Sequence, residues 1–139
     1  ISNLFRNKEI SYKQFMSKPL THYNSVTASK VDEEYMDKLH DFIMKHISEP
    51  DLNIESLTIQ LGTSKSSLYR KLKANTGLSI NEYIRVCRLK QAAELLSSQK
   101  YKINEVAFMT GFSSPSYFAT CFQKQFGISP SEFVKNLGQ

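Results

Sequence analysis

Apolar residues recur at helical spacing along most of this sequence. Between residues 32 and 47 they fall on one face of a helix of 3.6 residues per turn. That face holds Tyr35, Leu39, Phe42, Ile43 and Ile47. The first turn of the segment is acidic, which suits the positive end of a helix dipole. The pattern therefore predicts an amphipathic helix over residues 32–47, followed by a turn at SEPDLN.

Capping residues and glycines divide the rest of the sequence into shorter helices. An Asn or Ser side chain accepts hydrogen bonds from the free N–H groups of a first turn, and Gly adopts the left-handed conformation that ends a helix. Ser79 and Ser129 are each followed three residues later by Glu, as in a capping box. The predicted helices, with caps and terminators in parentheses, are 54–61 (Asn53, Gly62), 65–76 (Ser64, Gly77), 80 to Leu96 or Ser98 (Ser79), Ile103 to Thr110 (Gly111), 115–126 (Ser114, Gly127) and a last helix from Pro130 (Ser129). No segment alternates as a strand does, so the predicted fold class is all-α.

The sequence also repeats itself. Gly62 and Gly111 stand 49 positions apart, and after the turn the offset becomes 50. At that second offset Ser64, Leu68, Leu72, Gly77, Ser79, Glu82 and Tyr83 match Ser114, Phe118, Phe122, Gly127, Ser129, Glu132 and Phe133. Each copy has a short helix, a turn with Gly and Ser, and a second helix. That order predicts two helix-turn-helix units, at about 53–77 and 103–127.

Residues 1–30 differ from the remainder, since they are polar and basic. Scattered apolar residues allow a short helix within residues 1–16, Pro19 stops it, and KPLTHYNSVTASK is typical of a linker. The sequence starts without Met and without the apolar core of a signal peptide. We therefore expect a fragment of a longer protein, with a linker over 1–30 and a domain over 31–139.

Charge is unevenly distributed behind the net value of +5. Residues 64–102 hold nine basic and two acidic residues, a net charge of +7, whereas residues 31–50 have a net charge of −4. No acidic residue lies between Glu55 and Glu82. A local positive block favours an anionic partner. Composition alone leaves an ordinary solvated, mixed-charge face equally open.

In the predicted helix after Ser64, the positive charge is concentrated on one face. Leu68 and Leu72 form its apolar stripe, one turn apart. The opposite face, here called the front of the helix, is polar and cationic, with small residues near its N-terminal end. It holds Ser66, Tyr69, Arg70 and Lys73, and Lys65 and Lys71 flank it. Small residues allow close approach to a major groove, Arg can bond to guanine O6 and N7, and lysines reach phosphates. The pattern indicates a DNA-reading helix.

The equivalent helix of the second copy is less charged. Its front holds Pro115, Ser116, Ala119, Thr120 and Gln123, with Lys124 as the single cation of the helix. Such a face either reads less sequence or docks on the DNA backbone through its N-terminus. On the long helix between the copies, Arg85, Arg88 and Lys90 are expected on the exposed side. They either touch phosphates or are simply solvated.

The residues offer little for metal or covalent chemistry. Cys87 and Cys121 are far apart within helical patterns and form no CxxC motif, so we expect two reduced, buried thiols. His40 and His46 are six residues apart, which is not the spacing of a helical metal pair, and His22 falls in the linker. We expect no cofactor, no metal site and no catalytic residue. No apolar run has the length of a membrane span, so we expect no membrane contact.

The segment YIRVCRLKQAAELLSSQKYKINEVAFMTGFSSPSYFATCFQKQFGISPSEF, residues 83–133, resembles the second half of the AraC-type DNA-binding domain. The resemblance extends over about 35–137. It implies seven helices, two helix-turn-helix units joined by a long helix, and a bacterial transcription regulator whose second helix in each unit enters the major groove. Carried over by position, it implies base contacts from Ser66, Tyr69, Arg70, Pro115, Ser116 and Thr120. Phosphate contacts are expected from Lys65, Lys71, Lys73, Arg85 and Lys124.

The expected partners follow from this resemblance. They are double-stranded DNA, read in two successive major grooves, and RNA polymerase, in the bacterial cytoplasm. Residues 1–34 also resemble the segment that joins a receiver domain to this output domain in hybrid two-component regulators, so an upstream sensor or receiver is expected. Two rival hypotheses are a DNA-repair enzyme, which would need more cysteines, and a helical protein-interaction module. The second is disfavoured by the cationic front of residues 64–73, because partner-binding surfaces are apolar at the centre.

Overall fold

The computed structural model describes residues 30–138, with side chains from residue 33 onward. Both the expected short helix in 1–16 and the linker lie outside the described residues. Within them the chain is helical and contains no strand, as predicted. The helices are α1 (Lys30–Lys45), α2 (Ile54–Leu61), α3 (Lys65–Thr76), α4 (Ile80–Ser97), α5 (Ile103–Met109), α6 (Pro115–Phe126) and α7 (Pro130–Leu137).

The predicted caps are present at the helix starts. The Asn53 side chain accepts from the N–H groups of Glu55 and Ser56, and Ser64 accepts from Ser67. In both capping boxes the Glu returns the bond, with Glu82 Oε1 accepting from Ser79 N–H at 2.9 Å. These bonds satisfy first-turn N–H groups that no helix can satisfy internally. The caps therefore set where α2, α3, α4, α6 and α7 begin.

The chain packs as two compact units. In the described part, the first contains residues 30–46 and 51–87, and the second contains residues 47–50 and 88–138. The first unit holds the helix-turn-helix formed by α2 and α3, and the second holds the one formed by α5 and α6. Helix α4 is continuous through the boundary at Cys87 and Arg88.

The first unit is built around aliphatic side chains. Leu39 and Ile43 of α1, Leu57 of α2, and Leu68 and Leu72 of α3 have no exposed surface. Leu39, Ile43, Leu68 and Leu72 lie on the apolar faces predicted from the helical spacing, whereas Tyr35, Phe42 and Ile47 of the predicted face over 32–47 are only half-buried. The burial of Leu68 and Leu72 fixes which side of α3 points away from the core, because a helix that buries positions 68 and 72 exposes 66, 70 and 73.

The second unit has an aromatic core. Phe118 and Phe122 of α6 are fully buried, and the Phe122 ring lies 5.7 Å from Phe118, 4.6 Å from Phe126 and 5.5 Å from Phe133, between ring centroids. Phe112, from the turn before α6, lies 5.1 Å from Phe118. Tilted and edge-on aromatic pairs of this kind add specificity to area burial. Helices α6 and α7 and the turn are thus held together by one ring cluster.

The two turns confirm the internal repeat. In the first unit Gly62 N–H donates to Ile59 O and Thr63 N–H donates to Thr58 O. At an offset of 49, Gly111 N–H donates to Phe108 O and Phe112 N–H donates to Ala107 O. Both glycines have positive φ, 64° and 87°, a conformation that Gly adopts without steric cost. The same turn geometry therefore occurs once in each unit.

Candidate nucleic-acid interface

Helix α3 presents the face that its sequence predicts. Ser66, Arg70 and Lys73 are exposed, as is Tyr69, which keeps 43% of its surface accessible. Ser64 caps the helix, and Gly77 ends it at φ 77°. The first turn contains no acidic residue. The front of α3 is therefore an accessible, positive surface on the second helix of a helix-turn-helix unit.

Lys65 lies at the start of this front and has an acidic neighbour. Its Nζ is 3.5 Å from Glu55 Oε2 on α2, and both side chains are largely exposed. Exposed ion pairs contribute ~0–1 kcal/mol and are screened by salt. The pair orients the Lys65 side chain only weakly, so replacing the Glu55 carboxylate with a phosphate as its partner would cost little free energy.

Lys71, expected from the helical wheel to flank the front of α3, instead contacts α1. Its ammonium lies over the Tyr35 ring of α1, 4.5 Å from the ring centroid, and the side chain is half-buried. A cation over an aromatic face is stabilised by ~0.5–2 kcal/mol, depending on desolvation. Burial also raises the pKa of the Tyr35 hydroxyl above its usual value. Lys71 thus fixes α3 against α1.

Helix α6 shows a nearly neutral front. Ser116, Thr120, Gln123 and Lys124 are exposed, while Pro115 is half-buried at the first helical position. The Thr120 hydroxyl donates to Ser116 O at 3.1 Å, which leaves its methyl group and an oxygen lone pair at the surface. Tyr117, 49% exposed, stands beside Ser116 and was not among the predicted site residues.

The long helix corrects one expectation. Arg85 and Lys90, expected on the exposed side, are half-exposed, but Arg88 is buried, with 7% of its surface accessible. Its Nη1 donates to Ile47 O at 2.7 Å and Thr110 O at 2.9 Å, and its Nη2 donates to Glu49 O at 2.9 Å. The expectation of an exposed Arg88 was wrong. The signal was available in the sequence, since Arg88 lies four residues from both Ile84 and Ala92, which are buried.

Two groups near the interface have shifted acidities. The pKa of Glu82 is lowered, chiefly by the hydrogen bond from Ser79 N–H, so this carboxylate stays charged at the start of α4. Burial raises the pKa of the Tyr83 hydroxyl well above its ordinary value. Among the described residues this hydroxyl has no hydrogen-bond partner.

Cys87 and Cys121 are both buried, as expected, and within residues 30–138 neither is in a disulfide. Cys87 Sγ lies 3.9 Å from His40 Nδ1. Across residues 30–138, no three His, Cys, Asp or Glu side chains are grouped so that they could hold a metal ion. In that same part of the chain, no helix combines the length and the apolar character that crossing a bilayer requires.

Sequence reasoning did not predict the exposed apolar side chains on the first helix of each unit. Ile59 of α2 is 80% exposed, and Phe108 of α5 is 54% exposed. They occupy equivalent positions of the repeat, since each precedes its turn glycine by three residues. The helical spacing could have revealed them, because each lies outside the buried stripe of its helix.

Comparison with known proteins agrees with this geometry. Residues 57–136 match the family described as "Helix-turn-helix domain". The C-terminal domain of AraT, a response regulator from Geobacillus stearothermophilus, is 33% identical, with a TM-score of 0.66. The match covers 73% of this chain and 84% of the AraT domain. The DNA-binding domain of AdpA, a global transcriptional factor, was solved in complex with a target DNA. It is 26% identical, with a TM-score of 0.65, and the match covers 72% of this chain and 89% of the AdpA domain.

A curated relative matches nearly the whole chain. Histidine kinase P4 of Formosa agariphila is 32% identical over 133 residues, which is 96% of this chain and 10% of the kinase. The chain spans 10% to 50% of the length of the curated relatives it matches.

Fold, turn geometry and sequence together define a helix-turn-helix protein. The chain belongs to the AraC-type family of helix-turn-helix transcription regulators, and residues 57–136 lie within its DNA-binding domain.

Proposed function

We propose that this chain is the sequence-specific DNA-binding output module of a bacterial two-component regulator. The observation that carries the proposal is the front of α3, where Arg70 and Lys73 are exposed beside Ser66 and no acid interrupts the helix. A helix with these properties suits a major groove. The DNA-bound relative AdpA supports the same role.

We assign distinct contacts to the two fronts. On α3, Ser66, Tyr69 and Arg70 contact base edges, with Arg70 as the guanine reader. On α6, Pro115, Ser116 and Thr120 contact bases through small and methyl groups, which discriminate less strongly. Phosphates are contacted by exposed or half-exposed cations, namely Lys65, Lys71, Lys73, Arg85 and Lys124. Lys71 must leave the Tyr35 ring to reach a phosphate, so its replacement should weaken binding less than that of Lys73.

The two fronts should read successive major grooves of one site. Helix α4 has 18 residues, which at ~1.5 Å per residue is a span of about 27 Å. Successive grooves on one face of DNA are about 34 Å apart. We expect an asymmetric site of roughly two turns, with the half facing α3 containing guanine.

The upstream partner is proposed from the relatives. Histidine kinase P4 and the response regulator AraT carry similar segments. We therefore propose that a sensor or receiver domain precedes this module, that it acts in the cytoplasm and that RNA polymerase is the target of regulation. We assign no enzymatic step to this module.

Selection of bound duplexes from a random pool, followed by footprinting, tests this function. The expected result is a site with two protected halves. Insertion of about five base pairs between them rotates the halves by half a turn and should abolish specific binding. Unchanged affinity after the insertion would show that a single unit reads DNA. Recovery of random sequences would overturn the proposal.

A further inference from the structure

We propose that Arg88 is a positioning residue for DNA reading by α6. The inference rests on the proposed function and extends it to a residue that contacts no DNA. Arg88 is buried and donates hydrogen bonds to three backbone carbonyls, those of Ile47, Glu49 and Thr110. We call this arrangement the Arg88 clamp.

The carbonyls of the clamp come from two chain segments. Ile47 and Glu49 lie in the turn that follows α1, and Thr110 caps the C-terminal end of α5. Carbonyls in a turn or at a helix C-cap lack helical partners, and the Thr110 carbonyl also lies at the negative end of the α5 dipole. A guanidinium satisfies several of them at once because its donors are fixed in a planar fork. The clamp therefore ties the end of α5 to the turn after α1.

Thr110 is followed directly by the turn that leads into α6. Gly111 adopts φ 87°, and Ser114 caps α6 three residues later. A Cβ atom at Gly111 would overlap both Arg88 Nη1 and Ile47 O. The guanidinium thus lies against the turn backbone, and the turn has only two more residues before Ser114. Because Ser116 lies in the first turn of α6, the clamp determines where the proposed base contacts begin.

The first unit lacks this device at the equivalent position. A Cβ atom at Gly62 would meet no atom within 4 Å. Both turns nevertheless have the same pair of backbone hydrogen bonds. The clamp is therefore an addition to the second turn, and its loss should affect the second half of the DNA site selectively.

The test uses Arg88→Met, with Lys135→Met as a control that removes an exposed cation of α7. Each protein is titrated with the selected site and with sites scrambled in one half. The wild type should lose roughly tenfold or more on scrambling either half. Arg88→Met should lose less than about threefold on scrambling the half facing α6, and should still lose tenfold on scrambling the other. The control should behave as the wild type.

Amide hydrogen exchange provides a readout that needs no DNA. In Arg88→Met the amides of Gly111 and Phe112 should exchange faster, while those of Gly62 and Thr63 should not change. If Arg88→Met does not fold, Arg88→Lys is used in the same experiment. It retains the charge, but its single nitrogen cannot reach carbonyls that Arg contacts through two, so the same selective loss is expected.

Three results are distinguishable. A folded variant that discriminates both halves like the wild type would reduce Arg88 to a stabilising residue and overturn the inference. Equal loss at both halves would overturn it as well. A wild type that prefers no sequence would refute the proposed function itself, and the exchange data would then still show whether Arg88 holds the turn.

Discussion

Alanine at the two turn glycines tests how much the Arg88 clamp, including its acceptor Ile47 O, contributes to stability. Gly62 and Gly111 are equivalent in the repeat, both have positive φ, and both donate to the carbonyl three residues earlier. Gly62→Ala and Gly111→Ala therefore impose a similar backbone strain of ~1–2 kcal/mol, partly offset by ~0.4–1 kcal/mol from the less flexible unfolded chain. The substitutions differ in what the new methyl group meets.

At Gly62 the methyl group enters open space, whereas at Gly111 it overlaps both the Arg88 guanidinium and Ile47 O, one of the carbonyls that accept from it. Each hydrogen bond from a charged donor contributes ~1.5–3 kcal/mol, and three such bonds are present. Because displacement of the guanidinium breaks one or two of these bonds more readily than all three, the additional loss should be ~2–5 kcal/mol. That is a large fraction of the ~5–15 kcal/mol that stabilises a typical domain.

Urea unfolding followed by far-UV circular dichroism measures both variants against the wild type. The free energy of unfolding should fall by about 1 kcal/mol for Gly62→Ala and by ~3–6 kcal/mol for Gly111→Ala. If the two losses agree within about 0.5 kcal/mol, the guanidinium moves aside without cost, and the clamp has no energetic significance.

Other predictions address the front of α3 and two groups of α4. Arg70→Ala should cost ~1–3 kcal/mol on the selected site and relax one base position, whereas Lys73→Ala should weaken all sequences alike and lower the salt slope by about 1; equal, sequence-independent losses in DNA titrations would show that Arg70 is a phosphate contact. Tyr83→Phe removes a buried hydroxyl without a partner among the described residues, so urea unfolding should show no loss or a gain of ~1–2 kcal/mol; a loss above ~1 kcal/mol would reveal a bond. Since the pKa of Glu82 is lowered on folding, its contribution is present above its ordinary pKa and is lost as the pH falls through the lowered value. The stability difference between wild type and Glu82→Gln should therefore be constant near neutral pH and shrink towards pH ~3, and a difference that grew on acidification would contradict the capping role.

The helices could be predicted because their signals are local. Caps such as Ser64 and terminators such as Gly77 act within one turn, and the apolar spacing of Leu68 and Leu72 fixes the buried face of α3. The predicted bounds consequently agree with the structure to within about two residues. Helix α4 ends without a glycine, at Ser97, where Gln99 takes the left-handed conformation at φ 58°.

What escaped prediction depends on contacts between distant segments. The spacing to Ile84 and Ala92 could have placed Arg88 on the buried face of α4, but its acceptors Ile47 O and Thr110 O come from 41 and 22 positions away. Lys71 likewise matched the cationic front until Tyr35 packed beneath its ammonium. In both cases a long side chain was expected on an exposed, DNA-accessible surface because its partner belongs to another helix or turn. The DNA contacts assigned to α3 and α6 remain predictions.

The most direct test of DNA reading is a fluorescence-anisotropy titration of the selected duplex and a scrambled duplex over a range of salt concentrations. If about 5–7 phosphates are neutralised, log K should fall against log salt with a slope of about −4 to −6. The selected duplex should bind ~10³-fold or more tightly than the scrambled one at physiological salt. A slope near zero, or equal affinity for the two duplexes, would contradict the assignment of this chain as a sequence-specific DNA-binding module.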